Sequence, residues 1–352
     1  MRLLGHSLLI LLTASLPAWA DTVEDLHRGT VAVEDLGEAQ LAAGTRQALA
    51  QVLVKVSGHR ETLQRPAVKA ALADGTRYMQ RYRYLRDDLP AGERLNLQVY
   101  FDAESINALL RESAAPLWTA NRPELLLWLM VDDGGGRQIA TAETHPELYK
   151  TIEASMERRG VPLAFPLLDL EDLRSLTSDA LWRMDELDVY RAAQRYGQEN
   201  VLVGRLTALP GNRWMGDWTY LYRQTSFTGS IYGQPAIAVT STISDFVADR
   251  MGERYAVAAG LQVESLLVRI DSVESYADYQ TLLDVFSDVE LVSDAWMAYR
   301  EDDSAVFRLT AQADAVALGS ILSLDRRLEP LASPPALRRG PVHLDLHYRW
   351  QP

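Results

Sequence analysis

The spacing of apolar residues changes several times along this chain, and each change predicts a new element. Between residues 39 and 56 apolar side chains recur every three or four positions, which predicts an amphipathic helix that Gly58 is placed to end. Residues 125–131 form an unbroken apolar run, which is typical of a buried strand. Residues 214–222 and 224–232 predict an antiparallel strand pair. Helices and strands are therefore mixed along the whole chain.

These elements group into three small modules of mixed α/β and α+β class, with predicted bounds at 21–120, 121–258 and 259–352. A chain of 352 residues exceeds the size of one ordinary core, which favours such a division. The middle module contains parallel strand–helix–strand units, with a helix predicted at Pro146–Arg159 and two more helical stretches after it, and the strand pair follows; these predict a layered arrangement. The elements of the last module, with its second helix predicted at residues 314–328, follow the order βαββαβ, which is that of a ferredoxin-like sandwich.

The first twenty residues have the pattern of a cleavable secretory signal. Arg2 supplies a positive charge, residues 8–12 are apolar, and Ala18-Trp19-Ala20 places small residues where signal peptidase needs them. The apolar stretch is too short to span a bilayer. We therefore expect a mature chain that begins at Asp21, carries no transmembrane segment and works outside the cytoplasm.

Composition and charge exclude several classes of protein. The chain has 35 basic and 48 acidic residues and a net charge of −13, so bulk electrostatics disfavour binding to nucleic acid. It contains no cysteine, which excludes disulfides, thiol catalysis and zinc–thiolate sites. Arginines and tyrosines are interleaved over residues 77–86, and in an acidic exported protein this pattern indicates an edge strand rather than a nucleic-acid surface.

An acidic cluster follows the strand predicted at residues 162–168. Asp169, Glu171 and Asp172 lie at the carboxyl end of that strand, where α/β folds place ligands, and paired carboxylates could bind a cation or act as acid and base. The alternative is a helix N-terminus, where acidic residues oppose the positive end of the helix dipole. We expect the second role, and we keep the cluster as a candidate binding site.

Four aromatic residues share one face of the strand predicted at residues 214–222. Trp214, Trp218, Tyr220 and Tyr222 could form an exposed platform for a partner or a sugar ring. Alternatively, the helix predicted at residues 235–255 covers them. We expect at least two of the four to be core residues, in which case the partner surface lies elsewhere, for example on an exposed sheet edge at residues 78–85.

No motif in the sequence predicts catalysis or a cofactor. Serine-hydrolase, zinc-protease, phosphate-loop and dinucleotide fingerprints are missing from the chain. One face of a predicted strand carries His343, Asp345 and His347, whose two imidazoles and one carboxylate could coordinate a divalent cation. A single strand, however, does not ensure that these groups point at one common metal position. We therefore predict no catalytic residue, no metal and no cofactor.

Several phrases of the sequence, taken together, resemble a family of exported Gram-negative proteins catalogued as a domain of unknown function, serial number twenty sixty-six. They are residues 48–60 (ALAQVLVKVSGHR), 121–123 (NRP), 131–136 (VDDGGG), 159–162 (RGVP), 166–172 (PLLDLED) and 201–206 (VLVGRL). Residues 196–206 are also similar to a segment of periplasmic α/β modules, such as those of the Tol–Pal translocation protein and the outer-membrane activators of penicillin-binding proteins. The resemblance implies a periplasmic address and no established activity.

These observations lead us to expect a periplasmic, non-catalytic binding or adaptor protein of the cell envelope. Its partner would be an envelope protein or a cell-wall polymer, and not a nucleic acid. One alternative is a cell-wall hydrolase that uses the acidic cluster at residues 169–172. The other is a structural component of an envelope machine.

Overall fold

The computed structural model describes residues 23, 25–89, 92–223, 225–258, 263–289, 291–331 and 344–351, and it confirms the mixed α/β and α+β class. The predicted signal at residues 1–20 lies outside the described residues. Each of the three larger sheets falls within one of the predicted modules, whose bounds stay predictions. None of the helices in this part of the chain combines the length and apolar character needed to cross a bilayer.

The first module is a three-stranded antiparallel sheet packed against a long helix. Its elements are β1 (Arg28–Val33), α1 (Glu38–Ser57), α2 (Pro66–Ala73), β2 (Met79–Leu89), β3 (Gly92–Phe101) and α3 (Ala103–Glu112). The strand order is β1-β3-β2. Gly58 ends α1 in the left-handed conformation, as predicted, and its N–H donates to the carbonyl of Val54. Asp102 caps α3 by accepting from the N–H of Ser105.

The middle module is built on a six-stranded mixed sheet. Its elements, with two short boundary strands, are β4 (Pro116–Leu117), β5 (Leu125–Asp132), β6 (Arg137–Ile139), α4 (Pro146–Arg159), β7 (Leu163–Ala164), α5 (Leu170–Ser175), α6 (Ser178–Arg183), α7 (Glu186–Gln194), β8 (Asn200–Leu209), β9 (Arg213–Tyr222), β10 (Thr225–Pro235), α8 (Ala236–Tyr255) and β11 (Val257–Ala258). The main path is β10-β9-β8-β5-β6, with β7 also paired to β5. β5 and β8 are parallel, and β9 and β10 form the predicted antiparallel pair.

The segment before the acidic cluster departs from the prediction. The strand expected at residues 162–168 is only two residues long, because Pro166 has no N–H to continue the ladder and Leu168 adopts a positive φ of 55°. Three short helices, rather than two, then lead to β8.

Two helical layers cover the middle sheet. α4 and α8 bury one face, whose apolar residues include Leu127, Leu202 and Trp218. α6 and α7 bury the other face, around Trp128 and Leu221. Because both faces are covered, the strands β5 and β8 are apolar almost throughout.

The last module contains the predicted βαββαβ order and one additional strand. Its elements are β12 (Glu264–Asp271), α9 (Tyr276–Ser287), β13 (Val292–Glu301), β14 (Ser304–Ala311), α10 (Ala315–Leu322), β15 (Leu328–Pro330) and β16 (Leu346–Trp350). The strand order is β13-β14-β12-β16-β15, with β16 parallel to β12. The helix predicted at residues 314–328 ends at Leu322, because Asp325 pairs with Arg327 in a turn that leads into β15.

Buried cations join the first two modules. Arg122 is fully buried and donates to backbone carbonyls, among them those of Lys55 at 2.8 Å and Gly160 at 2.9 Å. Arg159 is also buried, and it pairs with Asp245 and Asp249 of α8 at 2.9 and 2.8 Å. Three of the phrases that carry the family resemblance, at residues 48–60, 121–123 and 159–162, therefore meet at one packed junction.

Candidate functional site

The acidic cluster is engaged by its own surroundings. Asp169 is the N-cap of α5 and accepts from the N–H groups of Glu171 and Asp172. Arg195 holds both carboxylate oxygens of Asp169, each at 2.6 Å, and reaches Asp172 at 3.0 Å. The side chain of Asp172 is completely buried and also accepts from the hydroxyl of Tyr196 at 2.5 Å. Of the three predicted residues, Asp169 and Glu171 are exposed, with 44% and 72% of their side-chain surface accessible.

The electrostatics of this cluster favour fixed charges over proton transfer. The Arg195 guanidinium holds the pKa of the Asp169 carboxyl well below its usual range, and the same pair raises the pKa of Arg195. Burial, followed by the hydrogen bond to Asp172, raises the pKa of Tyr196 to about 12. A general acid needs a raised carboxyl pKa near the working pH, which Asp169 does not have. The geometry agrees with the helix-capping role.

The aromatic strand face is largely core. Trp218, Tyr220 and Tyr222 are buried under α8, and Trp214 is partly buried against the same apolar cluster. The ring of Trp218 lies 4.8 Å from that of Phe246. This placement is the core alternative that the sequence favoured.

A small cavity beside Trp218 is too small to hold a ligand. It has a volume of about 30 Å³ and lies between the sheet and helices α4 and α8, where Leu129, Ile152 and Val239 also line it. Thirty cubic ångströms is the space of about one water molecule. The cavity therefore matters for packing and not for binding.

The predicted strand with two histidines has separate partners for its polar groups. His347 is nearly buried, with Nε2 2.8 Å from Asp271 Oδ2, whereas Asp345 accepts from the N–H of Leu267 at 2.7 Å. His343 lies outside the described residues. No group of three or more histidine and acidic residues that could hold a metal occurs in the described ranges. That this strand binds no metal stays a prediction.

A cleft that includes Tyr222 in its lining lies between the middle and last modules. It has a volume of about 630 Å³ and runs between the ends of β9 and α8 on one side and α10 and β16 on the other. We call it the α8–α10 cleft. Its lining mixes aromatic, aliphatic and charged side chains, among them Tyr222, Arg254, Tyr255, Val316 and Tyr348. A further hollow of about 310 Å³ continues it past Arg254.

Arg254 is an exposed cation in the lining of this cleft, to which Glu199, Arg223 and Asp345 also contribute. Its guanidinium lies 3.5 Å from the centre of the Tyr222 ring and is solvent-exposed, and it forms no ion pair with any acid in the described part of the chain. The neighbouring cations are paired, since Arg223 contacts Glu199 at 3.1 Å and Arg250 contacts Glu253 at 2.8 Å. Stacking on Tyr222 fixes the guanidinium plane and leaves its edge to the solvent.

Hydrogen bonds hold the cleft walls in place. The Tyr220 hydroxyl donates to Asn200 Oδ1 at 2.7 Å, and Asn200 Nδ2 donates to the Tyr255 hydroxyl at 3.4 Å. Burial raises the pKa of Tyr255, so its hydroxyl remains protonated. On the opposite wall the Tyr348 hydroxyl donates to the carbonyl of Gly319 at 2.9 Å. Each wall of the cleft is therefore held by hydrogen bonds within its own module.

Two residues that the sequence analysis named, Tyr222 and Asp345, line this cleft, and that Tyr222 binds a partner stays a prediction. Tyr222 was a predicted binding residue and does line the cleft. Arg254 was missed because an arginine at a helix end is ordinarily explained by the helix dipole. Val316 and Tyr348 come from the last module, roughly a hundred residues further along, and only folding brings them near.

Comparison with known proteins leaves the function open. A family model described as a domain of unknown function (DUF8605) matches residues 20–119, which is less than a third of the chain, and its serial number differs from that of the family inferred from the motifs. No curated protein matches the chain. Among solved structures, a formyltetrahydrofolate deformylase from Pseudomonas putida KT2440 is 15% identical, with 57% of this chain and 94% of that chain covered, at a TM-score of 0.18. A TM-score this low does not indicate a shared fold.

Proposed function

We propose that this chain is an exported, non-catalytic binding or adaptor protein of the cell envelope, and that the α8–α10 cleft is its binding site. The observation that carries the proposal is the exposed, stacked Arg254 beside Tyr222 in a cleft large enough for a ligand group. A binding site of this kind supplies a fixed charge and aromatic surface and needs no reactive group.

The periplasmic address is supported by the sequence. The signal pattern of residues 1–20, the lack of cysteine and the resemblance to an exported Gram-negative family all agree with it. The weaker similarity of residues 196–206 to modules of the Tol–Pal translocation protein and penicillin-binding-protein activators favours a protein or cell-wall partner.

The hydrolase alternative is less well supported by the geometry. The carboxylate oxygens of Asp169 and Asp172 already accept hydrogen bonds from Arg195, Tyr196 and backbone N–H groups. A hydrolase needs a carboxyl pair with separated pKa values and space for substrate between them. We therefore assign the cluster to local structure.

A site-specific crosslink in living cells tests the proposal. We would place a photoreactive residue at Val316, which lines the cleft and is 80% exposed, in the full chain with its signal. The matched control carries the same residue at Tyr232 of β10, which is 78% exposed and lies outside the cleft lining. We expect a defined envelope adduct, protein or cell-wall fragment, at Val316 and not at Tyr232.

A second variant ties that adduct to the cleft. Arg254→Ala should abolish it, whereas Arg213→Ala should not, because Arg213 is an exposed arginine at the opposite end of β9. An adduct that survives Arg254→Ala, or that forms equally at both positions, would show that the cleft is not the site.

A further inference from the structure

A second surface, separate from the cleft, lies on the outer edge of the first sheet. The strand order β1-β3-β2 leaves β2 at the edge, paired only with β3 in the described part of the chain. β2 is 11 residues long, which is long for an exposed edge. Such an edge presents a row of backbone N–H and C=O groups to any extended chain that approaches.

The first eight residues of this edge, 79–86, carry only positive charge, and Asp87 and Asp88 follow them at its far end. Residues 77–86 include four arginines and no acidic residue, although acids outnumber bases in the whole chain by 48 to 35. Arg81 and Arg83 are both exposed and point to the face away from the core, since their cross-strand partners are Tyr100 and Gln98. Residues 79–86 of the edge therefore attract an acidic segment.

Both arginines are held in position by the neighbouring strand. The Arg81 guanidinium lies 4.0 Å from the centre of the Tyr100 ring, and Arg83 Nε donates to Gln98 Oε1 at 2.7 Å. Gln98 is nearly buried and also accepts from the Tyr100 hydroxyl at 2.9 Å. Side chains fixed before binding lose less conformational entropy when an anion arrives.

The opposite face of the same edge is aromatic. Tyr82 and Tyr84 contact one another edge to face at 5.8 Å between ring centres, and Tyr82 is 45% exposed. They pair with Val99 and Leu97, so they extend the apolar face of the sheet to its border. An added strand would thus meet arginines on one side and tyrosines on the other.

We propose that β2 binds, by strand addition, an extended segment of a partner protein in which acidic and apolar residues alternate. The acidic side chains lie over Arg81 and Arg83, and the apolar ones lie over Tyr82 and Tyr84. Backbone hydrogen bonds supply the pairing, and the alternation sets the register.

A designed peptide tests this without knowledge of the natural partner. The probe is a fluorescent peptide that alternates aspartate and valine over about eight residues, enough to span residues 79–86 of β2. We expect it to bind the mature full chain, to bind less tightly as salt is raised, and to protect the backbone amides of β2 from hydrogen exchange. A lysine–valine peptide of the same length should not bind.

Charge variants and a second edge provide the controls. The double variant Arg81→Gln with Arg83→Gln should weaken binding of the aspartate–valine peptide at least about tenfold. The control double variant Arg213→Gln with Arg349→Gln, at two exposed arginines elsewhere, should leave that binding unchanged. The amides of β13, another long edge strand, should stay unprotected, because it carries acidic residues such as Asp294.

Three results would overturn the proposal. They are equal binding of the lysine–valine peptide, unchanged affinity in the Arg81 and Arg83 variant, and no added protection in β2. Concentration-dependent dimerisation through β2 would assign the edge to a second copy of this chain and would equally refute a separate partner. In the first three cases the arginines would serve only to guard the edge against aggregation.

Discussion

Gly229 and Trp218 form a contact whose energy can be isolated by a double-mutant cycle. The two residues face one another across β9 and β10, and a Cβ at position 229 would lie 2.3 Å from Trp218 Cζ2. The indole cannot easily move away because it packs against Phe246. Gly229→Ala should therefore destabilise the protein by about 1–3 kcal/mol through overpacking.

The same alanine should become favourable once the indole is removed. Trp218→Ala alone should cost about 3–5 kcal/mol, because it removes a buried ring beside an existing cavity. Removing the ring takes away the three atoms nearest to that Cβ, and alanine then gains roughly 0.5–1 kcal/mol over glycine in a strand. The double variant should then be more stable than Trp218→Ala, with a coupling energy of about 2–3 kcal/mol.

Equilibrium urea unfolding, followed by circular dichroism, measures the free energy of unfolding of the wild type, the two single variants and the double variant. Thr228→Ala, a neighbouring exposed position on β10, is the control and should change stability by less than about 0.5 kcal/mol. If Gly229→Ala is neutral in the native background, or costs the same in both backgrounds, the packing argument is wrong.

Three further predictions concern charge and export. Burial lowers the pKa of Lys55 from 10.5 to about 8, so the folded chain binds fewer protons than the unfolded chain between these values, and stability rises with pH there. In urea unfolding, the free energy of unfolding of the wild type should rise by about 3 kcal/mol relative to that of Lys55→Met between pH 7 and pH 10.5. A difference between the two proteins that does not change with pH would contradict this. Asp169→Asn should fold and retain cellular function, and loss of function in a folded variant would favour the hydrolase. Amino-terminal sequencing of periplasmic protein should begin at Asp21; full-length cytosolic protein would refute export.

The sequence alone determined features whose causes lie within one or two helical turns. The helix at Pro146–Arg159 was predicted with its bounds, and Gly58 and Gly160 end their helices in the left-handed conformation. Hydrophobic periodicity, helix caps and turn residues depend on neighbours in the chain, so they can be identified from the sequence without the tertiary structure. The expectation that the aromatic strand face is core followed from the same local pattern plus one covering helix.

Tertiary structure decided what depends on distant segments. The strand predicted at residues 162–168 is shortened, and the helix predicted at residues 314–328 ends at Leu322, ahead of the additional strand β15. Arg254 became a candidate ligand-binding residue only because α10 and β16 pack opposite it. The buried junction between the first two modules similarly brings together Lys55, Arg122 and Arg159. No local sequence pattern predicts that three cations will be buried close to one another. Such sites arise from the packing of whole elements, whose relative positions are set by the summed burial of many side chains rather than by any neighbouring residues.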